Sequence, residues 1–292
     1  MSGEAPLPRA PVAPRPAATV VLVRDAAPAG IEVLLVQRHG SIGFMGGMHV
    51  FPGGKLCTAD ASSDMHARVA DAELVRAQRW GEQLDANACL ARAVAATRET
   101  FEEAGVLLGA SAEHIAGALA DTAPRQPPVA ALARMRARLL AGEPFASLLE
   151  EHALVLRLSE LVPLSRWITP ESEPVRFDTS FYLARAPEEQ HALHDDSEAV
   201  ASLWATPVGA LDAAQRGSIR LAPPTARTLE SIADASSVEA LASLIQKRPP
   251  PLVEPVIRPV GDELVILYPG DPEHPVQTQV LPGPTRRVLR KL

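Results

Sequence analysis

Arg98-Glu99-Thr100-Phe101-Glu102-Glu103-Ala104-Gly105-Val106 is the stretch around which this chain of 292 residues is organised. Residues spaced i, i+3 and i+4 share one face of a helix, so Glu99, Glu102 and Glu103 would stand together. Like charges so placed repel each other, and Mg²⁺ or Mn²⁺ would relieve the repulsion by binding the carboxylate oxygens. Arg98 can pair with one carboxylate, and Gly105 can adopt the left-handed backbone conformation that ends helices. The stretch therefore predicts the end of a helix that carries a metal site.

The same residues resemble the second half of the Nudix box, Gly-x5-Glu-x7-Arg-Glu-U-x-Glu-Glu-x-Gly-U, in which U is a bulky aliphatic residue. The matching residues are Arg98, Glu99, Glu102, Glu103, Gly105 and Val106, and Thr100 stands at a U position. Gly53-Gly54-Lys55-Leu56 resembles the glycine start, but Gly54 lies 44 positions before Arg98, where the pattern expects 14. About 30 residues are therefore inserted inside the box. Counted back from Arg98, the first Glu of the pattern falls on Leu90, so its contribution must come from elsewhere or be absent.

The bulk composition excludes several classes of protein. The chain is 47% hydrophobic and 22% charged, which is an ordinary globular balance. Its formal net charge of −7 offers no positive footprint, so we expect no nucleic-acid partner. It holds no run of about 18 apolar residues, so we expect no membrane span. Cys57 and Cys89 are the only cysteines, which favours a reducing compartment, and we expect a cytoplasmic protein.

Periodicity and breaker residues divide the chain into alternating strands and helices. Strands are predicted over residues 18–24, 32–37, 49–52, 161–169, 177–184 and 199–206, with a hairpin over 256–268. An amphipathic helix is predicted over 65–84, and Asp85 or Asn87 would cap the box helix. Further helices are predicted over 110–121, 129–141, 144–152, 207–215, 223–232 and 237–247. This order predicts an α/β fold, an α/β/α sandwich with a mixed sheet.

The domain organisation follows from the same elements. Residues 1–16, rich in Pro and Ala, are predicted to form a disordered or extended arm. A Nudix-type domain is predicted over 17–215, with insertions at about 57–86 and 110–157. Residues 216–292 are predicted to form a helical and extended C-terminal extension, with the last 24 residues as an extended surface wrap.

Three further segments resemble one branch of the Nudix family, the long-insert group that includes peroxisomal coenzyme A diphosphatases and bacterial members. They are Trp167-Ile168-Thr169-Pro170, followed by Arg176-Phe177-Asp178-Thr179-Ser180-Phe181-Tyr182, and His49-Val50-Phe51-Pro52-Gly53-Gly54. With the split box, the resemblance covers about residues 16–211. It implies hydrolysis of the pyrophosphate linkage in a nucleoside diphosphate joined to another moiety, such as coenzyme A, acyl-CoA, NADH or ADP-ribose. It also implies Mg²⁺ or Mn²⁺ as cofactor and, at the level of the family, a homodimer.

The resemblance also implies roles for individual residues. Glu99, Glu102 and Glu103 would hold the metal, with the carbonyl of Gly54 as a further ligand, and Arg98 would hold a carboxylate in place. Glu198 is a candidate general base or extra ligand; the alternatives are a plain acidic turn there, with Glu102 or Glu103 as the base. For the substrate, Arg38, Arg166 and Arg176 are candidate phosphate contacts. Phe44, on a glycine-rich loop, could stack on a base.

A second class of function stays open beside catalysis. Leu90 and the split box are compatible with a Nudix fold that senses a nucleotide, or mediates an interaction, without hydrolysing anything. A weaker third reading is an isomerase-type relative. The complete set of three carboxylates favours the enzyme, since a pure binder has no evident need for them.

Overall fold

The computed structural model describes residues 12–40, 45–78, 80, 84–111, 127–188, 190 and 199–289. Its strands are β1 Arg15–Asp25, β2 Ile31–Arg38, β3 His49–Val50, β4 Gly53–Lys55, β5 Gly109–Ser111, β6 Leu154–Leu156, β7 Val162–Ile168, β8 Phe177–Arg185, β9 Ala199–Ala205, β10 Leu252–Val253, β11 Val256–Val260, β12 Glu263–Leu267 and β13 Arg286–Leu289. Its α-helices are α1 Ser63–His66, α2 Ala72–Arg76, α3 Ala86–Ala104, α4 Val129–Leu140, α5 Phe145–Glu151, α6 Pro207–Gln215, α7 Pro223–Ser231 and α8 Val238–Ile245.

Within the described residues, the main sheet is mixed and has eight strands. Its order is β10-β7-β8-β1-β2-β3, with β4 paired to β1 and β9 paired to β2. Strand β1 runs parallel to β8 and antiparallel to β2 and β4. The central strand therefore has β8 on one side, while β4 and β2 divide its other side between them.

Both faces of this sheet are buried, which is why β1 reads as a nearly continuous apolar run. Val20 and Leu22 face one core, which they share with α3, α4 and α5. Val21 and Val23 face a second core, which α6, α7 and α8 cover. The predicted α/β/α sandwich with a mixed sheet is confirmed.

The C-terminal residues belong to this sandwich. Leu229 of α7 and Leu241 of α8 lie in the second core, and β10 extends the main sheet by pairing with β7. The predicted hairpin over 256–268 is confirmed as β11 and β12, and β13, four residues within the segment predicted as an extended wrap, adds a third strand to it. Residues 216–289 thus complete one layer of the fold.

The first insertion differs from its prediction. A single helix over 65–84 was wrong: α1 and α2 are short, and Arg68 and Ala70 between them exchange backbone hydrogen bonds with Leu156 of β6. The Asp71 carboxylate accepts hydrogen bonds from the backbone N–H groups of Leu158 and Ser159. These partners outside the segment compete with helical hydrogen bonds and break the helix.

The second insertion also begins differently. Residues 110 and 111, predicted as helix, belong to strand β5, which pairs with β6, and residues 112–121 lie outside the described residues. The helices predicted over 129–141 and 144–152 are confirmed as α4 and α5. In the described part of the chain, no helix has both the length and the apolar character needed to cross a membrane.

Candidate active site

Helix α3 carries the three glutamates, and its ends are formed as the sequence predicted. The Asp85 carboxylate caps the first turn by accepting a hydrogen bond of 2.8 Å from the Ala88 N–H. Gly105 ends the helix with a φ of 70°, in the left-handed region, and its N–H bonds to the carbonyl of Phe101. Phe101 and Ala104 point into the first core, and this fixes the rotation of the helix about its axis.

Strand β4 places two glycines against the carboxylates. The Gly53 N–H donates a hydrogen bond of 3.0 Å to the buried carboxylate of Glu103. A Cβ added to Gly54 would lie 2.3 and 2.6 Å from the two carboxylate oxygens of Glu99. Gly54 therefore leaves room for the Glu99 carboxylate, and a larger residue would displace it.

Arg98 joins the carboxylates to one another. Its Nη1 donates to Glu99 at 2.9 Å and to Glu102 at 3.1 Å, while its Nη2 donates to the carbonyl of Lys55 at 3.0 Å. Burial alone would lower the pKa of Arg98, but hydrogen bonding to Asp60 and the negative charges of Glu99, Asp60 and Glu102 raise it above its ordinary value. The guanidinium is a permanent cation that holds two of the three glutamates from one side.

Asp60 is a residue of the candidate site that the sequence prediction missed. Its carboxylate accepts hydrogen bonds from Nε and Nη2 of Arg98 at 2.8 and 3.0 Å, and a third from the Cys57 N–H at 2.8 Å. Counted forward from Gly54, the pattern Gly-x5-Glu falls on Asp60, so the acid stands at the expected spacing with Asp in place of Glu. Counting back from Arg98 led to Leu90, which is fully buried in the first core. The insertion thus lies after the first acid of the box.

The residues present fit a divalent cation. Glu99, Glu102 and Glu103 supply three carboxylates from one end of α3, and the guanidinium of Arg98 links two of them to Asp60. Among the residues that the structure describes, no three His, Cys, Asp or Glu side chains converge as a complete metal cage. Mg²⁺ does not need one, because it usually keeps several waters and is held by one or two carboxylates together with substrate phosphates.

The other predicted site residues lie in different surroundings. Arg38 ends β2, where the pairing of this strand with β9 becomes irregular between Gln37 and Arg38. The Arg38 Nε is buried and makes no hydrogen bond within the described part of the chain. Phe44 and Glu198 lie outside the described residues.

Arg176 and Arg166 are engaged in contacts within the fold. Arg176 is buried and donates to the carbonyls of Val12 and Thr169 and to the carboxylate of Glu254, at 2.7 to 2.9 Å. Arg166 donates two hydrogen bonds, of 2.7 and 2.8 Å, to the carboxylate of Asp178. Arg166 thus joins β7 to β8, and Arg176 joins the start of β8 to Val12 and Glu254. The site that we propose below therefore does not include these two arginines.

A mixed-sheet sandwich whose long helix sets three glutamates against a glycine pair defines a Nudix pyrophosphohydrolase. The chain belongs to the family described as "NUDT19 Nudix domain", whose model matches residues 14–232. It is 31% identical over 284 residues to a protein of Gallus gallus named acyl-coenzyme A diphosphatase NUDT19, a match that covers 85% of this chain and 74% of that protein. The Homo sapiens protein of the same name is 30% identical over 271 residues, covering 83% and 72%.

A solved structure agrees with this assignment. The crystal structure of a NUDIX hydrolase from Alicyclobacillus acidocaldarius superposes with a TM-score of 0.65 at 30% sequence identity. The match covers 79% of this chain and 96% of that one. The Nudix fold predicted from the split box is thus confirmed across most of the chain.

Proposed function

We propose that this chain hydrolyses the pyrophosphate linkage of coenzyme A or of an acyl-CoA, with Mg²⁺ or Mn²⁺ as cofactor. The observation that carries the proposal is the glutamate face of α3, held by Arg98 above Gly54. The choice of substrate is supported by the names of the chicken and human relatives. NADH and ADP-ribose are the alternative substrates to be compared.

The reaction assigns a task to each residue. Water attacks one phosphorus, the P–O bond of the anhydride breaks, and two phosphate monoesters leave. Glu99, Glu102 and Glu103 would hold the cation, which when bound neutralises charge on the phosphate oxygens. Arg98 orients two of these carboxylates, and the absence of a side chain at Gly54 keeps the space beside Glu99 open. The general base is Glu198, Glu102 or Glu103.

Arg38 is the substrate contact with structural support. Its Nε is a buried donor without a partner among the described residues, and such a group carries a free-energy cost until an acceptor reaches it. A phosphate oxygen is a suitable acceptor, since arginine binds phosphate through two parallel N–H groups. Phe44, six positions further along the chain in the glycine-rich loop, remains the proposed residue for stacking on the base.

The test compares the wild type with Glu103→Gln on coenzyme A, acyl-CoA, NADH and ADP-ribose in Mg²⁺ or Mn²⁺. Glutamine retains an oxygen that can accept from the Gly53 N–H, so the substitution removes charge while keeping that contact. Glu239→Gln, at an exposed position on α8, is the matched control. We expect mass spectrometry to show adenosine 3′,5′-bisphosphate and phosphopantetheine from coenzyme A, with turnover at least about a hundredfold lower in Glu103→Gln. Undiminished turnover in that variant would contradict the assignment of the site.

A nucleotide sensor without catalysis is the second candidate. The feature that motivates it is the insertion of about 30 residues that divides the box. Calorimetric binding of coenzyme A by the wild type, with no product in either metal, would decide for the sensor. Products of the two expected masses would decide against it.

We further propose that the protein is cytoplasmic, forms a homodimer and binds no nucleic acid. Two free thiols, Cys57 and Cys89, support a reducing compartment, and the net charge of −7 argues against a nucleic-acid partner. Light scattering measures the oligomeric state, and a mass of about 31 kDa would contradict the dimer because 31.0 kDa is the mass of one chain.

A further inference from the structure

One arginine of the second insertion contacts the last turn of α3. Arg136, on α4, donates from Nε and Nη2 to the carbonyl oxygen of Glu102, at 2.9 and 2.7 Å. Its guanidinium also lies against Gly105, where an added Cβ would stand 3.2 Å from Nη1. Arg136 is thus close to the backbone of the turn that carries Glu102 and Glu103.

This contact satisfies a need of the helix. The last four carbonyls of an α-helix have no partner inside the helix, and the negative end of the helix dipole favours a cation beside them. Gly105 supplies an N–H to the carbonyl of Phe101, and Arg136 supplies two donors to the next carbonyl, that of Glu102. The turn is therefore held by groups from outside α3 as well as by its own.

Arg136 acts from a well-anchored position. On the same helix Leu132, Met135 and Leu139 are buried in the core that α3 also occupies. A helix packed in this way restricts the motion of the arginine it carries, so the carbonyl of Glu102 is held relative to the core. The neighbouring Arg138, in contrast, pairs with Glu143 and Glu151 nearer the surface.

We propose that Arg136 is a positioning residue for the metal-dependent reaction: it fixes the last turn of α3 so that Glu102 and Glu103 present their carboxylates to the cation and the substrate phosphates. The inference rests on the proposed function, because it assigns Arg136 a task in the same site. The second insertion then forms part of the catalytic apparatus. Outer-shell partners of this kind typically change metal affinity by about 10- to 100-fold when they are removed.

The experiment compares Arg136→Met with the matched control Arg138→Met, two positions along the same helix. Binding of Mn²⁺ to each full-length chain is measured from the signal of free Mn²⁺ in electron paramagnetic resonance, with Glu103→Gln giving the background from other sites. We expect Arg136→Met to bind Mn²⁺ about tenfold more weakly, at the lower end of the outer-shell range. We also expect it to lower kcat for coenzyme A more than it changes KM, and Arg138→Met to match the wild type. Arg136→Lys, which can make one of the two hydrogen bonds, should bind about threefold more weakly than the wild type.

The outcomes separate this proposal from the proposed function. A wild type that binds no Mn²⁺ and cleaves no substrate would overturn the proposed function. A wild type that does both, beside an Arg136→Met chain with the same affinity and kcat, would overturn the positioning role alone. Equal losses in Arg136→Met and Arg138→Met would also overturn it, because the effect would then belong to α4 in general. If Arg136→Met does not fold, Arg136→Lys decides, and affinity equal to the wild type contradicts the proposal.

Discussion

Replacing Asp60 by Asn tests whether this residue acts as the first acid of the box. Three N–H groups converge on the Asp60 carboxylate, two from Arg98 and one from Cys57. An Asn side chain has one oxygen, and its NH₂ group would face at least one of these donors. Arg98 would keep Glu99, Glu102 and the Lys55 carbonyl as partners, and the opposing attraction of the Asp60 charge would be lost.

The expected loss in the free energy of unfolding follows from how deeply the Asp60–Arg98 pair is buried. The side chains of Asp60 and Arg98 are 2% and 10% exposed, so the pair lies away from water. Breaking a buried pair by removing one partner typically costs about 3–5 kcal/mol. Because Arg98 retains two other carboxylates, we expect Asp60→Asn to lower the free energy of unfolding by about 2–3 kcal/mol. As the released guanidinium shifts towards Glu99 and Glu102, turnover should fall about 10- to 100-fold, the range seen for partners of metal ligands.

Urea unfolding followed by circular dichroism measures the stability, and hydrolysis of coenzyme A measures the turnover. Two control variants test which position, 60 or 90, corresponds to the first acid of the box. Asp60→Glu restores the residue of the pattern and keeps the charge, so it should retain activity, although its added methylene group costs about 1–3 kcal/mol of stability; turnover therefore distinguishes it from Asp60→Asn. Leu90→Glu would put a carboxylate at a fully buried site in the apolar core, so the chain should unfold or precipitate. An Asp60→Asn chain with the urea midpoint and turnover of the wild type would refute the reasoning.

Three further predictions concern single side chains. Gly54→Ala should lower turnover about 100-fold or more, because the new Cβ displaces the carboxylate of Glu99. The urea midpoint should change little, because only the flexible end of that side chain has to move. A turnover equal to that of the wild type would show that the position of this carboxylate is unimportant. Burial raises the pKa of Asp178, but its hydrogen bond with Arg166 and the charges of Arg92 and Arg166 have the larger combined effect, and they hold this pKa below its ordinary value. The ionised Asp178 carboxylate therefore stabilises the folded state above about pH 4, and this stabilisation is lost as the pH falls through the lower pKa of the folded state. The difference in free energy of unfolding between the wild type and Asp178→Asn should accordingly shrink from about 3–5 kcal/mol at pH 7 as the pH drops below about 4. Arg176→Met should lower the urea midpoint, because it removes the hydrogen bond to Glu254, and it should leave the KM for coenzyme A unchanged. A raised KM would indicate that Arg176 contacts the substrate.

The sequence predicted those parts of the site whose partners are close along the chain. Glu99, Glu102 and Glu103 follow from helical spacing, and Asp85 and Gly105 are local signals for the two ends of α3. The central hairpin likewise follows from two apolar runs around a breaker. In all of these, the interactions that decide the structure lie within a few residues, so a linear pattern contains them.

Contacts between distant segments left no such signal. The sequence around α4 reads Arg134-Met135-Arg136-Ala137-Arg138, and nothing local distinguishes the arginine that meets Glu102 from its neighbours. The same holds for Arg176, whose partners include Glu254 in a C-terminal layer that was predicted to be an extension. Which arginine is free to meet a phosphate depends on packing between segments, and composition alone does not determine it.

An insertion inside a functional motif must return the chain to the geometry of the motif, and the contacts around α3 account for how this chain does so. The first insertion begins after Asp60, so the acid stays at its spacing from Gly54 and accepts two hydrogen bonds from Arg98. The second insertion follows the box and sends Arg136 back to the carbonyl of Glu102. Arg98 and Glu102 are joined by a hydrogen bond of 3.1 Å, so both contacts act on one turn of helix, one through a side chain and the other through the backbone. A shortened chain lacking α4 would therefore be expected to lose an interaction with the catalytic turn even though every residue of the box was kept.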